Sequence, residues 1–292
     1  MAWVEVNMDR VVTARFYEVV EMDVGVSFRE ALENVDNIVT RADRERNLGN
    51  DLVLRLEHLE VHGNLIVGDM TRIQTENLPG APNDVTVNPL QDDRLGHSFG
   101  FCFDTTTNSI ALQFHTQAQI GKVMSYLSEF SNGGQYAGLP ILNEAMVEML
   151  QDRTATKFQM NISSLSRFIA ANEDNGAPIT VGMARLANTA DAKRLNFTMT
   201  ATRDDPLETR SLIQMARDGL RAKGVNRSVS SIKVETAEDD YPLDLMGGLL
   251  KRSDRLDLPS NDPTRSRPIR LRQVRAWHTN LLPYITEYLN ND

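Results

Sequence analysis

The sequence predicts an α+β fold in which antiparallel β-hairpin sheets are covered by helices and the chain closes with a terminal amphipathic helix. Three observations carry that prediction. Residues Leu54–Ile73, around Gly63-Asn64, and Leu95–His115, around Thr105-Thr106-Thr107-Asn108, read as two hairpins in succession. In the second hairpin Phe99, Phe101 and Phe103 share one strand face while Ile110, Leu112 and Phe114 alternate on the partner strand, so an apolar sheet face needs a cover. Further on, Leu195, Phe197, Met199 and Ala201 alternate against Asn196, Thr198, Thr200 and Thr202, the pattern of an antiparallel strand with one wet face.

The elements follow in order. Ala14–Met22 reads as a strand. Ser27 stands at a helix N-cap, Glu30 completes a capping box, and Phe28, Leu32, Val35 and Val39 recur at helical spacing, predicting a helix over 28–39. The two hairpins are separated by a loop from Asn77 to Asp93 that holds Pro79, Gly80, Pro82 and Pro89. Ile120, Val123, Met124 and Leu127 trace one face of the helix expected to cover the Phe ladder. Ser131-Asn132-Gly133-Gly134 has nothing with which to bury surface and reads as a linker. It divides the chain into an N-terminal double-hairpin domain, 1–135, and a C-terminal α+β domain, 139–292, with an Arg-rich terminal helix.

In the second half Phe158, Met160 and Ile162 alternate as a strand, and Ser164 caps a short helix carrying Leu165, Phe168 and Ile169. Asp205-Pro206-Leu207-Glu208 opens a helix that Gly224 closes, and Ile232 and Val234 mark another strand. Ser266-Arg267-Pro268 opens the terminal helix, whose stripe of Leu271, Val274, Leu281, Leu282, Ile285 and Leu289 is kinked or broken near Pro283. That stripe exceeds what a small C-terminal sheet needs, so a homo-oligomer, first of all a two-fold dimer, is expected.

Composition bounds the function. The 292 residues are 41% hydrophobic and 24% charged, as in ordinary globular domains. No apolar run approaches the length a bilayer requires and no signal peptide is read, so a cytoplasmic protein without membrane insertion is expected. The only cysteine, Cys102, falls on the strand face opposite the Phe ladder, which excludes an internal disulfide and reads as a buried, inert thiol. A net charge of −9 argues against coating nucleic acid over the whole surface, though it leaves room for a local basic patch. The chain contains no Glu-x-Lys for a restriction-type nuclease, no Gly-x-x-x-x-Gly-Lys to cradle phosphates and no Gly-x-Ser-x-Gly nucleophile turn. No catalytic residue and no cofactor is therefore named.

Three constellations remain. His58, Glu60 and His62 fall on one face of a strand, about 7 Å apart in successive steps, too far for adjacent ligands to share a metal without bending. The expectation there is a polar, solvent-facing strand with Leu59 and Val61 pointing inward. Glu235, Glu238, Asp239, Asp240 and Asp244 cluster without the glycine-pivoted spacing of a calcium loop, so no metal site is assigned. The third group is basic: Lys251, Arg252 and Arg255, then Arg265, Arg267, Arg270, Arg272 and Arg275, with Trp277 and His278 behind them. Lys251, Arg252, Arg265, Arg267, Arg270, Arg272 and Arg275 form the candidate nucleic-acid surface, guanidinium groups reaching phosphate oxygens while Trp277 offers a stacking face. The alternative is that these arginines pair with the protein's own carboxylates.

Leu65-Ile66-Val67-Gly68-Asp69-Met70-Thr71-Arg72-Ile73, a Pro/Asp loop, Leu95-Gly96-His97-Ser98-Phe99-Gly100-Phe101-Cys102-Phe103-Asp104 and the strand Ile110–Phe114 together resemble the phage-exclusion and anti-phage defence proteins of the RexA type and, more loosely, KwaB. The similarity is a strand pattern over the first 115 residues, with echoes in Leu139-Pro140-Ile141-Leu142 and the Arg-rich helix, and it contains no catalytic signature. It implies a cytoplasmic two-domain protein, dimeric in many members, that senses or binds DNA or a phage product and triggers an effector. The acidic composition departs from RexA and confines any DNA-binding role to the C-terminal arginines. The functional expectation is a non-enzymatic sensor or adaptor in phage–host conflict. The alternatives are a hydrolase or nucleotide-processing enzyme with an unrecognised site, or an oligomeric structural protein of a mobile element.

Overall fold

The computed structural model describes residues 7–23, 25–49, 52–74, 81–82, 87–88, 94–116, 118–172, 178–226, 228–239, 241–245, 247–259 and 263–290. In chain order the elements are β1 (Asn7–Glu21), α1 (Phe28–Asp36), β2 (Arg46–Asn47), β3 (Val53–His62), β4 (Leu65–Gln74), the short β5 (Ala81–Pro82) and β6 (Val87–Asn88), β7 (Leu95–Asp104), β8 (Ser109–Gln113), α2 (Ile120–Ser128), β9 (Tyr136–Pro140) and α3 (Glu144–Asp152). They continue with β10 (Ala155–Ile162), α4 (Leu165–Asn172), α5 (Pro178–Thr189), β11 (Leu195–Thr200), α6 (Thr209–Asn226), β12 (Val229–Thr236), β13 (Leu243–Asp244), β14 (Lys251–Pro259) and α7 (Pro263–Asn290). The fold is α+β. Apart from β5 and β6, most of the expected loop from Asn77 to Asp93 lies outside the described residues.

Two compact units emerge. The first comprises Met1–Arg15, Val19–Tyr136 and Arg252–Pro283; the second comprises Phe16–Glu18, Ala137–Lys251 and Tyr284–Asp292. The terminal helix, expected in the second domain, therefore groups with the first unit through Pro283. The reason is a landing site on the hairpin sheet.

That sheet runs β14-β1-β8-β7-β4-β3-β2, with β9 also paired to β1. The β3–β4 hairpin closes at His62↔Leu65 and the β7–β8 hairpin at Asp104↔Ser109, where the Thr106 N–H donates to Asp104 Oδ1 at 2.7 Å. Antiparallel register puts Met70, Gly68 and Ile66 opposite Phe99, Phe101 and Phe103, and Leu112 and Ile110 opposite Phe101 and Phe103 on the other side. All three phenylalanines are buried. The Phe101 ring lies where a Cβ on position 68 would be, so Gly68 makes room for it.

Helices α1 and α2 cover this apolar face. Ser27 and Glu30 form the capping box of α1, and Phe28 meets Phe103 edge to face at 4.7 Å between centroids. Tyr126 of α2 is buried with its hydroxyl satisfied, accepting from the Leu56 N–H at 3.0 Å and donating to the Arg44 carbonyl at 2.8 Å. Helix α1 stops at Asp36, leaving Val39 93% exposed rather than on its apolar face. Val61, next to the His62↔Leu65 end of the hairpin, is exposed, contrary to the inward expectation, and Phe114 lies partly exposed with the Arg15 guanidinium 4.0 Å over its ring.

The segment read as a loose linker is a tight turn. Ser131 is fully buried and its hydroxyl donates to the Ser128 carbonyl at 2.7 Å, while Asn132 and Gly133 take positive φ. A reversal this sharp uses small residues for conformation and close packing rather than for slack.

The second unit has its own sheet, β11-β10-β12-β13, with Phe158↔Met199 and Met160↔Phe197 in antiparallel register. Leu212, Met215, Ala216 and Leu220 of α6 are buried, the stripe of a helix lying on a sheet. Helix α6 begins at Thr209, where the Leu212 N–H donates to the Glu208 carbonyl at 3.1 Å, and passes through Gly224 to Asn226. The last turns of α7 join this unit: Arg217 donates to the Tyr288 carbonyl at 2.7 Å and Tyr284 to the Leu142 carbonyl at 2.8 Å. Helix α7 is unbroken and holds both Pro268 and Pro283, so the expected start at Ser266 and break at Pro283 are not found. Packing along its length outweighs the hydrogen bonds the prolines forgo. Leu271, Val274, Leu281 and Ile285 are all buried within the chain, which removes the reason for covering the stripe with a second copy.

Candidate functional site

Within the first unit, Arg267, Arg270, Leu271, Val274 and His278 recur along α7 at helical spacing. They meet the second face of the hairpin sheet, which carries Asp69 of β4, Gly100 and Cys102 of β7 and Ser109 of β8. Contact is close. A Cβ on Gly100 would stand 2.8 Å from Leu271 Cδ2, so glycine sets the approach of helix to sheet.

At the centre is a carboxylate between two guanidinium groups. Arg267 Nε lies 2.9 Å from Asp69 Oδ2 and Arg270 Nη2 lies 3.1 Å from Oδ1. Asp69 is fully buried and Arg270 is 4% exposed. Burial pushes the Asp69 carboxyl up against the opposing pull of Arg270 and Arg267, and burial likewise pushes the Arg270 guanidinium down. Among the described residues, Nε, Nη1 and Nη2 of Arg270 and Oδ1 of Asp69 have no hydrogen-bond partner, so the 3.1 Å contact is an ion pair of poor direction.

A charge network adjoins this cluster in the same unit. Arg55 bridges Glu45 at 2.8 Å and Glu57 at 2.6 Å, Arg94 reaches Glu45 at 2.6 Å, and the buried Glu57 adds to the upward push on Asp69. Farther along α7, His278 Nε2 stands 2.8 Å from Ser109 Oγ, which also shares a 2.7 Å hydrogen bond with Thr107 Oγ1. This is the separation of a nucleophile and its base. Both residues are sealed from solvent, and burial holds the imidazole below its ordinary range although Asp104 pulls it up. Cys102 is equally sealed, its thiol pushed up to about 12 by burial, the inert state its strand face predicts.

The seven residues of the candidate nucleic-acid surface thus separate. Arg267 and Arg270 are committed to Asp69. Lys251, Arg252, Arg265 and Arg272 are exposed, and Arg265 and Arg272 lie seven residues apart on one side of α7; Arg275 is half-buried. Lys251 falls in the second unit and Arg252 in the first. Trp277 is buried and offers no stacking face.

The other constellations resolve into local contacts. Glu60 accepts from or pairs with both His58 at 2.7 Å and His62 at 3.0 Å, which holds its carboxyl below the usual range. Glu235 pairs with Lys157, Asp239 with Arg153 and the Thr236 hydroxyl, and Glu238 accepts from the Thr154 N–H; Asp240 lies outside the described residues. Among the described residues no group of three or more His, Cys, Asp or Glu side chains is disposed to hold a metal, and no helix is long and apolar enough to cross a membrane.

Asp69 is the residue that sequence reasoning missed. Its signal was present: an acidic residue in Leu65–Ile73, whose neighbours on both faces belong to a core, needs a cation brought to it. No protein-family model matches the chain, and no curated protein shows significant similarity to it.

Proposed function

We propose that the chain is a non-enzymatic cytoplasmic sensor or adaptor in phage–host conflict that binds nucleic acid weakly through exposed basic residues and passes the signal to an effector or phage protein. The observation that carries the non-enzymatic part is the state of its reactive groups. Ser109, His278 and Cys102 are buried in internal contacts, with no side of the nucleophile open to a substrate. The strand pattern of the two hairpins supports the phage–host setting. The nucleic-acid part rests on Arg265 and Arg272 of α7 with Arg252 of β14, three exposed cations of the first unit on an acidic protein.

An anisotropy titration with labelled single- and double-stranded DNA tests it. Binding should be indifferent to sequence, with a slope of log K against log salt no steeper than about −3, because at most about three phosphates are neutralised. Arg265→Glu with Arg272→Glu should abolish binding. Absence of binding at concentrations on the order of tens of micromolar in low salt sinks the nucleic-acid part. Turnover of phosphodiester or ester substrates that Ser109→Ala removes sinks the non-enzymatic part.

Self-association finds little support in α7, whose Leu271, Val274, Leu281 and Ile285 are buried within the chain. Strand β14 ends the sheet path and exposes Lys251, Arg252, Asp254, Arg255 and Asp257, a charged edge of the kind that resists pairing with another copy.

A further inference from the structure

We infer that Arg267 and Arg270 form a recognition site for a phosphate group, which Asp69 occupies in this structure as an internal carboxylate. The inference sharpens the polyanion reading for these two arginines without depending on it, since a free phosphate would serve as ligand.

Three observations support it. Charge is unbalanced at Asp69, where two guanidinium groups converge on a single carboxylate that burial excludes from water. Hydrogen-bonding capacity is unspent: among the described residues Arg270 keeps Nε and Nη1 without a hydrogen-bond partner, and its Nη2 meets Asp69 Oδ1 at 3.1 Å in poor direction, while a carboxylate offers two oxygens and a phosphate three or four. A buried guanidinium fork left unmatched is costly, and the fork geometry fits planar, bidentate recognition of an oxyanion. Asp69 is also a weak competitor for the place. Its own carboxyl is pushed up by burial and by Glu57, so a proton can neutralise it when the arginines turn to another anion.

Access is through Arg267, whose side chain keeps 20% of its surface exposed while Asp69 keeps none. An arriving phosphate engages Arg267 first. It then takes Arg270 from Asp69, whose carboxyl can accept a proton as the pair separates. Arg265 and Arg272 are exposed on the same helix and raise the local concentration of anions at that end of the sheet.

The test is thermal unfolding of the full chain in inorganic phosphate against sodium chloride of equal ionic strength, for the wild type, Arg270→Gln and Arg270→Lys. Phosphate stabilises many proteins by exclusion, so the readout is the difference between wild type and variant. The wild type should gain at least ~2 °C more than Arg270→Gln, as a ligand bound only by the folded state requires, with Arg270→Lys in between because it keeps the charge and loses the fork. Arg270→Gln removes a buried cation and leaves Asp69 paired with Arg267, so it should fold. Should it not, phosphate-dependent quenching of hydrogen exchange at residues 267–271 of the wild type gives the same answer. Equal shifts in wild type and variant, or unchanged exchange in phosphate, overturn the inference. A short oligonucleotide run in parallel separates the two readings. DNA binding without an Arg270-dependent phosphate effect leaves the exposed arginines as the nucleic-acid surface and removes this site; a phosphate effect without DNA binding keeps the site and assigns it a small phosphate ligand.

Discussion

The two faces of the hairpin sheet in the first unit are built on opposite principles. One face carries Phe99, Phe101, Phe103, Met70, Leu54 and Leu56 under α1 and α2, with the buried Arg72 opposite His97 toward one end, and there the Tyr126 hydroxyl both accepts and donates. The other carries Asp69, Cys102, Ser109 and Gly100 under α7, with two arginines and a histidine supplied by the helix. Both are largely buried, though Arg267 keeps 20% of its side chain exposed in the second. What differs is how much a substitution disturbs: in the first face stability comes from apolar area and fit, whereas in the second it rests on charge pairs whose removal leaves another charge stranded. The apolar face specifies that the sheet folds. The polar face specifies where α7 lies and holds reserve binding capacity in Arg270.

The largest effect should come from the apolar face. Phe101→Ala removes a buried aromatic over Gly68 and should cost about 3–5 kcal/mol in chemical denaturation. A loss below ~1 kcal/mol would show that the Phe ladder is not core. Next is the polar face: Asp69→Asn strands two cations and should cost about 3 kcal/mol, whereas Arg270→Met should be neutral or stabilising. If both substitutions cost the same, the asymmetry between carboxylate and guanidinium is wrong. Gly68→Ala sharpens the apolar side, since the added methyl meets the Phe101 ring and should cost about 1–3 kcal/mol through overpacking.

A pH series probes both faces together. His97 and His115, whose rings lie 5.8 Å apart beside Arg72, and His278 on the polar face are all held below the ordinary 6.5 by burial. The folded state then binds fewer protons than the unfolded chain just below that value, so their stabilisation is complete above about pH 6.5 and is lost as pH falls through the window beneath it. Asp69 works in the other sense, because its raised carboxyl favours the folded state as it takes up a proton. The urea midpoint should therefore fall on acidification, and His97→Gln with His115→Gln should flatten that fall. A midpoint unchanged between pH 8 and pH 5.5 in the wild type would count against the lowered titration of all three imidazoles. Smallest of all, Arg265→Ala and Arg272→Ala should each shift stability by no more than about 0.5 kcal/mol, as exposed positions do.

Much of the fold was legible because it is written at short range. Alternation at 99–103 and 195–200, the Ser27–Glu30 capping box and the turn at Gly63-Asn64 each depend on a few neighbouring residues, and each appears where its pattern places it. The failures have a shared cause. Val39 continues a helical period that the chain abandons at Asp36, Ser131–Gly134 has a linker's composition but closes a packed reversal, and Pro283 is a helix breaker that surrounding contacts overrule. Of the seven basic residues singled out, sequence could give the helical phase of the five on α7 but not their partners.

The sequence by itself determined the α+β class, the two successive hairpins, the Phe ladder with Cys102 on its reverse, and the amphipathic character of α7, because strand and helix periods fix which side chains share a face. Only the tertiary structure decided that α7 covers the polar side of the first sheet and that Arg267, 198 residues along the chain from Asp69, would meet it. It likewise joined Ser109 to His278 across 169 residues. A buried charge is tolerated only where another is brought to it, and which partner arrives is settled by the packing of whole elements, a property that no window of neighbouring residues contains.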